Sequence, residues 1–159
     1  MKLRELLVVI PHSSIVIPGE IPLENLSGRF PSQLKNVDWH TNWLYDFRDL
    51  LDNRQIVFPY CSIVLDANRH PDIIDDSVPL RDMRGEAVYR NGVEPDDELR
   101  KMLAGKYLAP FNQAIGDCIE SGAQFILDGH ATVTAHGVAA NQIDLMNFQH
   151  SYLDDEPRY

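Results

Sequence analysis

LLVVIPHSS, residues 6–14, joins a short apolar run to a proline, a histidine and two serines. A continuous apolar run of this length is typical of a strand that is buried on both faces of a sheet, and Pro11 ends it. QFILDGHAT, residues 124–132, has the same plan of an apolar run, a short break, a histidine and small polar residues. The two stretches predict two buried strands, each with a histidine at its exit.

Helix signals occupy much of the chain between these strands. Asp38 is predicted to cap a helix with an apolar face formed by Trp43, Leu44, Phe47, Leu50 and Leu51. A later helix is expected to begin at the acids of residues 96–98, to be kinked or split at Pro110, and to end at Gly122. The spacing of apolar residues in both segments is helical.

The segments at residues 55–69 and 70–95 are harder to assign. QIVFPYCSIVLDANR, residues 55–69, carries two β-rich runs around Pro59 and ends in an acid, an amide and a base. In residues 70–95 the dipeptide Asn91-Gly92 suggests a hairpin over residues 88–93. Strands alternating with helices predict an α/β fold, a three-layer sandwich around a mostly parallel or mixed central sheet. The length of 159 residues fits a single domain over residues 1–159.

Composition excludes several classes of function. The formal net charge is −10, from 14 basic and 24 acidic residues, and no basic stripe is present to neutralise a phosphate backbone, so nucleic acid is not an expected partner. No apolar stretch approaches the roughly 20 residues that span a bilayer. Cys61 and Cys118 lack metal or disulfide spacing and are expected to be packed thiols. We expect a soluble cytoplasmic protein, and its oligomeric state stays open.

The two strand-exit histidines suggest a metal site. If the two strands are parallel neighbours, His12 and His130 leave the sheet at one edge, where Asp38 could join them. Two imidazoles and one carboxylate with an open position form a catalytic zinc site. The alternative is that each histidine merely caps a turn, and the spacing alone leaves this choice open.

Five motifs resemble one known family. VVIPHSS, VDWHTNWLYDF, LDANR, YLAPFNQAI and ILDGH are similar in order and approximate spacing to those of the N-formylglutamate amidohydrolases. The resemblance implies a fold similar to that of zinc carboxypeptidases and cell-wall amidases. It also implies hydrolysis of an N-acyl amino acid such as N-formylglutamate, a step of histidine catabolism, with a small carboxylate-bearing substrate. His12, Asp38 and His130 become the expected zinc ligands, although another divalent ion could serve.

Further residues receive roles around that site. Asp128, two residues before His130, is a candidate to orient its imidazole. Arg69 is expected to grip the substrate carboxylate through its planar fork with help from Asn68, although a structural bridge from Arg69 to Asp66 is the alternative. His40 is a candidate for substrate contact or for an alternative ligand, and an exposed position on the helix surface is equally compatible with the sequence.

The general base is the open question. The stretch GVAANQIDL, residues 137–145, resembles the family stretch that supplies a catalytic glutamate, and it places Asp144 there. This stretch follows His130 more closely than the corresponding stretch does in the family. The alternative is therefore that the C-terminal part of the family is absent from this chain and that Asp144 is not the base. Two further hypotheses therefore stay open: a non-catalytic or truncated member that binds metal or a carboxylate ligand without turnover, and a binding domain that retains only the scaffold. A serine hydrolase is disfavoured because Ser13 and Ser14 lack a nucleophile-elbow motif.

Overall fold

A computed structural model describes residues 5–51 and 54–131 of the chain. Its strands are β1 (Leu6–Ile10), β2 (Gln55–Val57) and β3 (Phe125–Asp128). They form one sheet in the order β2-β1-β3, and β1 pairs in parallel with both neighbours. The strands predicted at residues 6–10 and 124–127 are confirmed in position, the second with a shift of one residue. The burial predicted for the second strand is wrong, since Phe125 and Ile126 are about half exposed at the edge of the described sheet. The described part of the chain is therefore α/β with a parallel sheet.

The central strand β1 is buried on both faces of the sheet. Leu7 and Val9 pack in the larger hydrophobic core, whereas Val8 and Ile10 pack with Leu51 in a smaller core on the other face. Successive side chains of a strand point to opposite faces, so two-sided burial requires a run without polar alternation. Each such side chain contributes about 1.5–3 kcal/mol when fully buried. The apolar run LLVVI is thus explained by its place in the middle of the sheet.

Six α-helices lie within the described residues. They are α1 (Phe30–Gln33), α2 (Thr41–Leu44), α3 (Arg48–Leu51), α4 (Ile74–Ser77), α5 (Asp97–Leu103) and α6 (Ala109–Glu120). Two single 3₁₀ turns lie at Leu23–Asn25 and Leu34–Asn36, and a π-helical turn at Ala104–Leu108 joins α5 to α6. Residues of α5 and α6 contribute to the larger core, while α3 contributes Leu51 to the smaller one.

The helical region before β3 begins and ends where the sequence predicts. The Asp96 carboxylate accepts a hydrogen bond of 2.8 Å from Leu99 N and caps α5. Pro110 lies in the first turn of α6, directly after the π-helical turn. A proline inside a helix lacks the N–H donor and crowds the preceding turn, which is why the helix widens there. Gly122 ends α6 with a φ of 100°, and Ala123 N donates to Cys118 O at 3.0 Å.

The single helix predicted from Asp38 is wrong. His40, rather than Asp38, precedes α2 and has a left-handed φ of 67°, so no regular helix can begin at Asp38. The chain breaks again between α2 and α3, and Trp43, Leu44 and Leu50 on the predicted apolar face are exposed. Tertiary contacts of Asp38, described below, override the local periodicity.

The predicted second β run at residues 61–65 is also wrong. β2 ends at Val57, and only Cys61 pairs with the sheet region, through a bridge to Ser14. Val64 N and Leu65 N both donate to Cys61 O, so this stretch turns back on itself. Its apolar side chains are nevertheless buried in the larger core, and burial rather than strand formation explains the composition.

The predicted hairpin over residues 88–93 is a turn without paired arms. Val93 N donates to Arg90 O at 3.3 Å, and Gly92 has a φ of 84°, as the Asn-Gly signal requires. Tyr89 pairs instead with Leu26, in an antiparallel bridge. The predicted turn is therefore confirmed, whereas the predicted pairing of two strands across it is wrong.

Within the described ranges, no helix is long and apolar enough to cross a bilayer. The assignment of residues 1–159 to one domain stays a prediction.

Arg100, a buried residue of α5, forms hydrogen bonds with the segment of residues 74–78. The Arg100 guanidinium is 5% exposed and donates to the carbonyl oxygens of Val78 and Ile74, both at 3.0 Å. It also pairs with the carboxylates of Asp75 at 2.7 Å and Asp97 at 3.0 Å. The carbonyl oxygen of Ser77, the residue before Val78, accepts a hydrogen bond of 2.8 Å from Asp66 N. Arg100 therefore stabilises the segment that holds Asp66.

We predict that Arg100→Leu lowers the free energy of unfolding by about 2–4 kcal/mol, because the buried carbonyl oxygen of Val78 and the partly buried one of Ile74 lose charge-assisted donors. Arg29→Leu is the matched control, since Arg29 is 74% exposed in its ion pair with Glu86 and should change stability by less than about 1 kcal/mol. Urea unfolding followed by circular dichroism measures both. Equal losses for the two variants would contradict a stabilising role of the buried guanidinium.

Candidate metal centre

The sheet brings the two strand-exit histidines together. β1 and β3 pair in parallel with Val9 opposite Asp128, and His12 and His130 follow their strands by two residues each. Their ring centroids lie 4.8 Å apart with an interplanar angle of 77°. Because the carboxyl ends of parallel strands meet at one edge, the strand register alone makes the two imidazoles neighbours.

Asp38 completes a cluster with these two histidines. Its Oδ2 atom lies 2.8 Å from His130 Nδ1 and 3.8 Å from His12 Nδ1, and its side chain is 11% exposed. The backbone holds Asp38 in place, since Asp38 N donates to His12 O at 3.1 Å. The buried Thr41 hydroxyl donates to Asp38 O at 2.8 Å. The loop before α2 is therefore fastened to the exit of β1.

A second carboxylate stands behind each imidazole. His12 Nε2 is hydrogen-bonded to Asp66 Oδ1 at 2.7 Å. His130 Nε2 lies 3.2 Å from Asp128 Oδ2, without the alignment of a well-formed hydrogen bond. Both rings thus direct Nδ1 towards Asp38 and Nε2 towards another acid. Carboxylates placed behind metal-ligating histidines fix the ring orientation and raise the basicity of the ligand atom.

The sequence suggests Asp66 only as a structural partner of Arg69, so its contact with His12 is not predicted. Its acidic position after the apolar run "IVL" was the available signal, but only the fold joins it to a histidine 54 residues away. Asp66 accepts at the same time from Asn68 N at 3.0 Å, while Arg69 Nε lies 3.5 Å from its second oxygen. Asp66 is therefore held on several sides.

The three inner residues fit a divalent cation. The candidate ligand atoms of His12, Asp38 and His130 lie within 4.8 Å of one another. Tetrahedral zinc with ligands at about 2.0–2.1 Å separates its ligand atoms by about 3.3 Å, close to the observed distances from Asp38 Oδ2. Two nitrogen donors and one oxygen donor suit zinc and leave a fourth position open. Two features support a divalent cation here: the type of donor atom, and the direction of both Nδ1 atoms towards Asp38 Oδ2.

The electrostatics of the site favour positive charge. Asp128 and then Asp38 raise the pKa of His130 to about 10, against the opposing effect of burial. Burial acts to raise the pKa of Asp66, but its hydrogen bond with His12 and the nearby Asn68 and Arg69 groups outweigh this effect and lower it. The lowered pKa of Asp66 and the raised pKa of His130 both show that the site stabilises positive charge, whether that of a proton or of a metal ion.

The remaining predicted residues lie at different distances from this cluster. Arg69 and Asn68 are exposed beside Asp66, and the contact of Arg69 with Asp66 shows that the structural bridge is present. His40 is exposed, with its ring centroid 5.0 Å from that of Trp43, and does not belong to the inner group of three. Asp144 lies outside the described residues. The roles assigned to these residues stay predictions.

Comparison with known proteins gives two matches. The family model described as N-formylglutamate amidohydrolase matches residues 4–151. N-formylglutamate deformylase of Pseudomonas aeruginosa is 26% identical over 118 residues, which cover 62% of this chain and 41% of that protein. The chain therefore spans less than half the length of this curated relative. No solved structure gives a significant match.

We predict that zinc binding at pH 6 releases at least about one proton for each metal ion. His130 in the metal-free protein is protonated below its pKa of about 10, and a metal ligand must be deprotonated. Apparent zinc affinity should consequently increase as the pH rises towards that value. Isothermal titration calorimetry in buffers with different ionisation enthalpies measures the released protons. A binding enthalpy that does not depend on the buffer would contradict this prediction, and His40→Ala should retain the wild-type proton release.

Proposed function

Because the chain belongs to the N-formylglutamate amidohydrolase family, we propose that it is a zinc-dependent amidohydrolase that cleaves the amide of N-formylglutamate or a similar N-acyl amino acid. The observation that carries the proposal is the convergence of His12, Asp38 and His130 from three separate segments. The name of the Pseudomonas relative supports deformylation as the reaction. Hydrolysis of N-formylglutamate consumes one water and yields formate and glutamate; another N-acyl amino acid would yield its own acyl group as the carboxylate in place of formate.

Zinc would supply Lewis acidity at this site, polarising the scissile carbonyl and making water acidic enough, with a pKa of about 7, to react at neutral pH. The protein supplies the arrangement. His12 and His130 present Nδ1 to the common centre, and Asp38 presents Oδ2 from the third side. Asp66 and Asp128 act from behind the rings and prevent the imidazoles from rotating.

A carboxylate has to carry the proton from water to the leaving amine. We propose Asp144 for this step, on the resemblance of its sequence context to that of the catalytic glutamate of the family. Asp128 has the supporting role of orienting His130, although its side chain is 50% exposed and lies near the reacting centre. The variants Asp144→Asn and Asp128→Asn distinguish the two roles. The variant that lacks the proton carrier should lose turnover and still bind zinc, and we expect this of Asp144→Asn.

Arg69 is our candidate for binding the substrate carboxylate. Its guanidinium is 58% exposed and lies 3.5 Å from Asp66, which contacts His12. A guanidinium in this position can turn its free N–H donors to a carboxylate while the acyl group reaches the metal centre. Asn68, which is adjacent and exposed, can add a side-chain donor, and His40 is a candidate for contact with the substrate near Asp38. We also propose that this chain adopts the three-layer α/β arrangement of the zinc peptidases.

We predict that metal-free protein, prepared with a chelator, does not hydrolyse N-formylglutamate and that one equivalent of zinc restores hydrolysis. Formate and free glutamate should appear in equal amounts. His130→Ala should neither retain zinc nor recover activity. Zinc retained at one equivalent by the wild type without hydrolysis of any N-acyl amino acid would contradict the catalytic proposal and favour a binding function.

We also predict that Arg69→Ala raises the KM for N-formylglutamate about 10- to 100-fold, with a smaller effect on kcat, because charge-assisted hydrogen bonds to the substrate are lost. Arg29→Ala is the matched control, an exposed arginine that also pairs with a carboxylate. Steady-state kinetics separate KM from kcat. An unchanged KM in Arg69→Ala would assign Arg69 to the structural bridge with Asp66 alone.

A further inference from the structure

Tyr45 makes contacts that the proposed function does not use. It follows α2 directly, its ring is half-buried, and it packs with the smaller core formed by Val8, Ile10 and Leu51. Its hydroxyl donates to the backbone carbonyl oxygen of His130 at 3.2 Å, across 85 residues of sequence. Tyr45 therefore touches the segment that carries one of the candidate metal ligands.

Gly129 receives the Tyr45 ring at a distance that leaves no room for a side chain. A Cβ atom on Gly129 would lie 2.8 Å from Tyr45 Cδ2 and 3.1 Å from Ile10 Cγ1. The glycines with positive φ in the described residues are Gly85, Gly92 and Gly122, so Gly129 does not require glycine for its backbone conformation. Close approach of the ring is the reason that glycine precedes His130.

Hydrogen bonds accompany this contact along the backbone near His130. Gly129 N makes a hydrogen bond of 2.7 Å to Val9 O, which extends the pairing between β1 and β3. Beyond it, His130 N has only a local bond of 3.2 Å to Asp128 O. The Tyr45 hydroxyl then binds the His130 carbonyl oxygen. The position of His130 is thus defined from the sheet on one side and from Tyr45 on the other.

Tyr45 and Asp38 belong to one short, internally bonded segment. Thr41 N and the Thr41 hydroxyl both donate to Asp38 O, and Tyr45 N donates to Thr41 O at 2.9 Å. The segment of residues 38–45 therefore supplies one candidate ligand at its beginning and contacts the backbone of another at its end. Hydrogen bonds through Thr41 thus connect the two ends of the segment.

We propose that Tyr45 is a positioning residue that sets the geometry of His130 relative to Asp38, by packing on Gly129 and by binding the His130 carbonyl oxygen. This inference rests on the proposed metal centre. Metal sites require ligands within about 0.5 Å of the productive geometry, and ligands on loops depend on supporting contacts. Tyr45 supplies that support for the candidate ligand that lies outside the regular pairing of β3.

Cobalt binding tests this role independently of catalysis. Tyr45→Phe retains the ring against Gly129 and removes only the hydroxyl, so the fold and the thermal midpoint should change little. We expect the affinity for Co²⁺ to fall about threefold to tenfold, the range for one hydrogen bond, together with a change in the visible absorption bands of the bound ion. Gly129→Ala forces the ring and the backbone apart and should weaken Co²⁺ binding further.

Tyr107→Phe is the matched control. It removes a tyrosine hydroxyl that donates to the Glu20 carboxylate at 2.9 Å, away from the metal centre, and should leave Co²⁺ affinity and spectrum unchanged. Wild-type cobalt affinity and spectrum in Tyr45→Phe would overturn the positioning role while leaving the proposed function intact. Failure of the wild-type protein itself to bind Co²⁺ or Zn²⁺ would overturn the metal centre, and the positioning role with it.

Discussion

The parallel pairing of β1 with β3 is the constraint on which the candidate site depends. Its register places Val9 opposite Asp128, and His12 and His130 each follow the end of their strand by two residues, which brings the two rings side by side. The pairing is stabilised by burial of β1 on both faces, so the same apolar residues that form the core also set the distance between the imidazoles. A register shift of one residue would reverse which face each side chain occupies and would separate the cluster.

A concentration of acidic groups gives the site its chemical character. Asp38 lies between the two histidines, and Asp66 and Asp128 lie behind them. Close carboxylates repel one another, and Asp128 and Asp38 raise the pKa of His130 to about 10 because each of them attracts the protonated ring. A divalent cation at the position shared by the two Nδ1 atoms and Asp38 Oδ2 would offset the same repulsion with more charge. Metal binding and folding of the loop segments are therefore expected to support each other.

Sequence patterns predicted the features that depend on neighbouring residues and failed where distant contacts decide. The apolar runs located β1 and β3, and Asp96, Pro110 and Gly122 located the helical region, because strand propensity, capping and backbone geometry depend on neighbouring residues. The helix expected from Asp38 does not form, since Asp38 is bound to the exit of β1 and His40 adopts a left-handed conformation. The partnership of Asp66 with His12 crosses 54 residues, and no local pattern encodes it.

Anomalous diffraction at the zinc absorption edge, from crystals grown with one equivalent of zinc, tests the proposed centre most directly. We expect one strong peak bonded to Nδ1 of His12, Nδ1 of His130 and the Asp38 carboxylate, at about 2.0–2.2 Å. Asp66 and Asp128 should remain on the far nitrogens of the two rings. A peak at the free thiols of Cys61 or Cys118, at scattered surface carboxylates, or on the Nε2 side of the rings would contradict the arrangement. The absence of any bound zinc would contradict the metal centre itself.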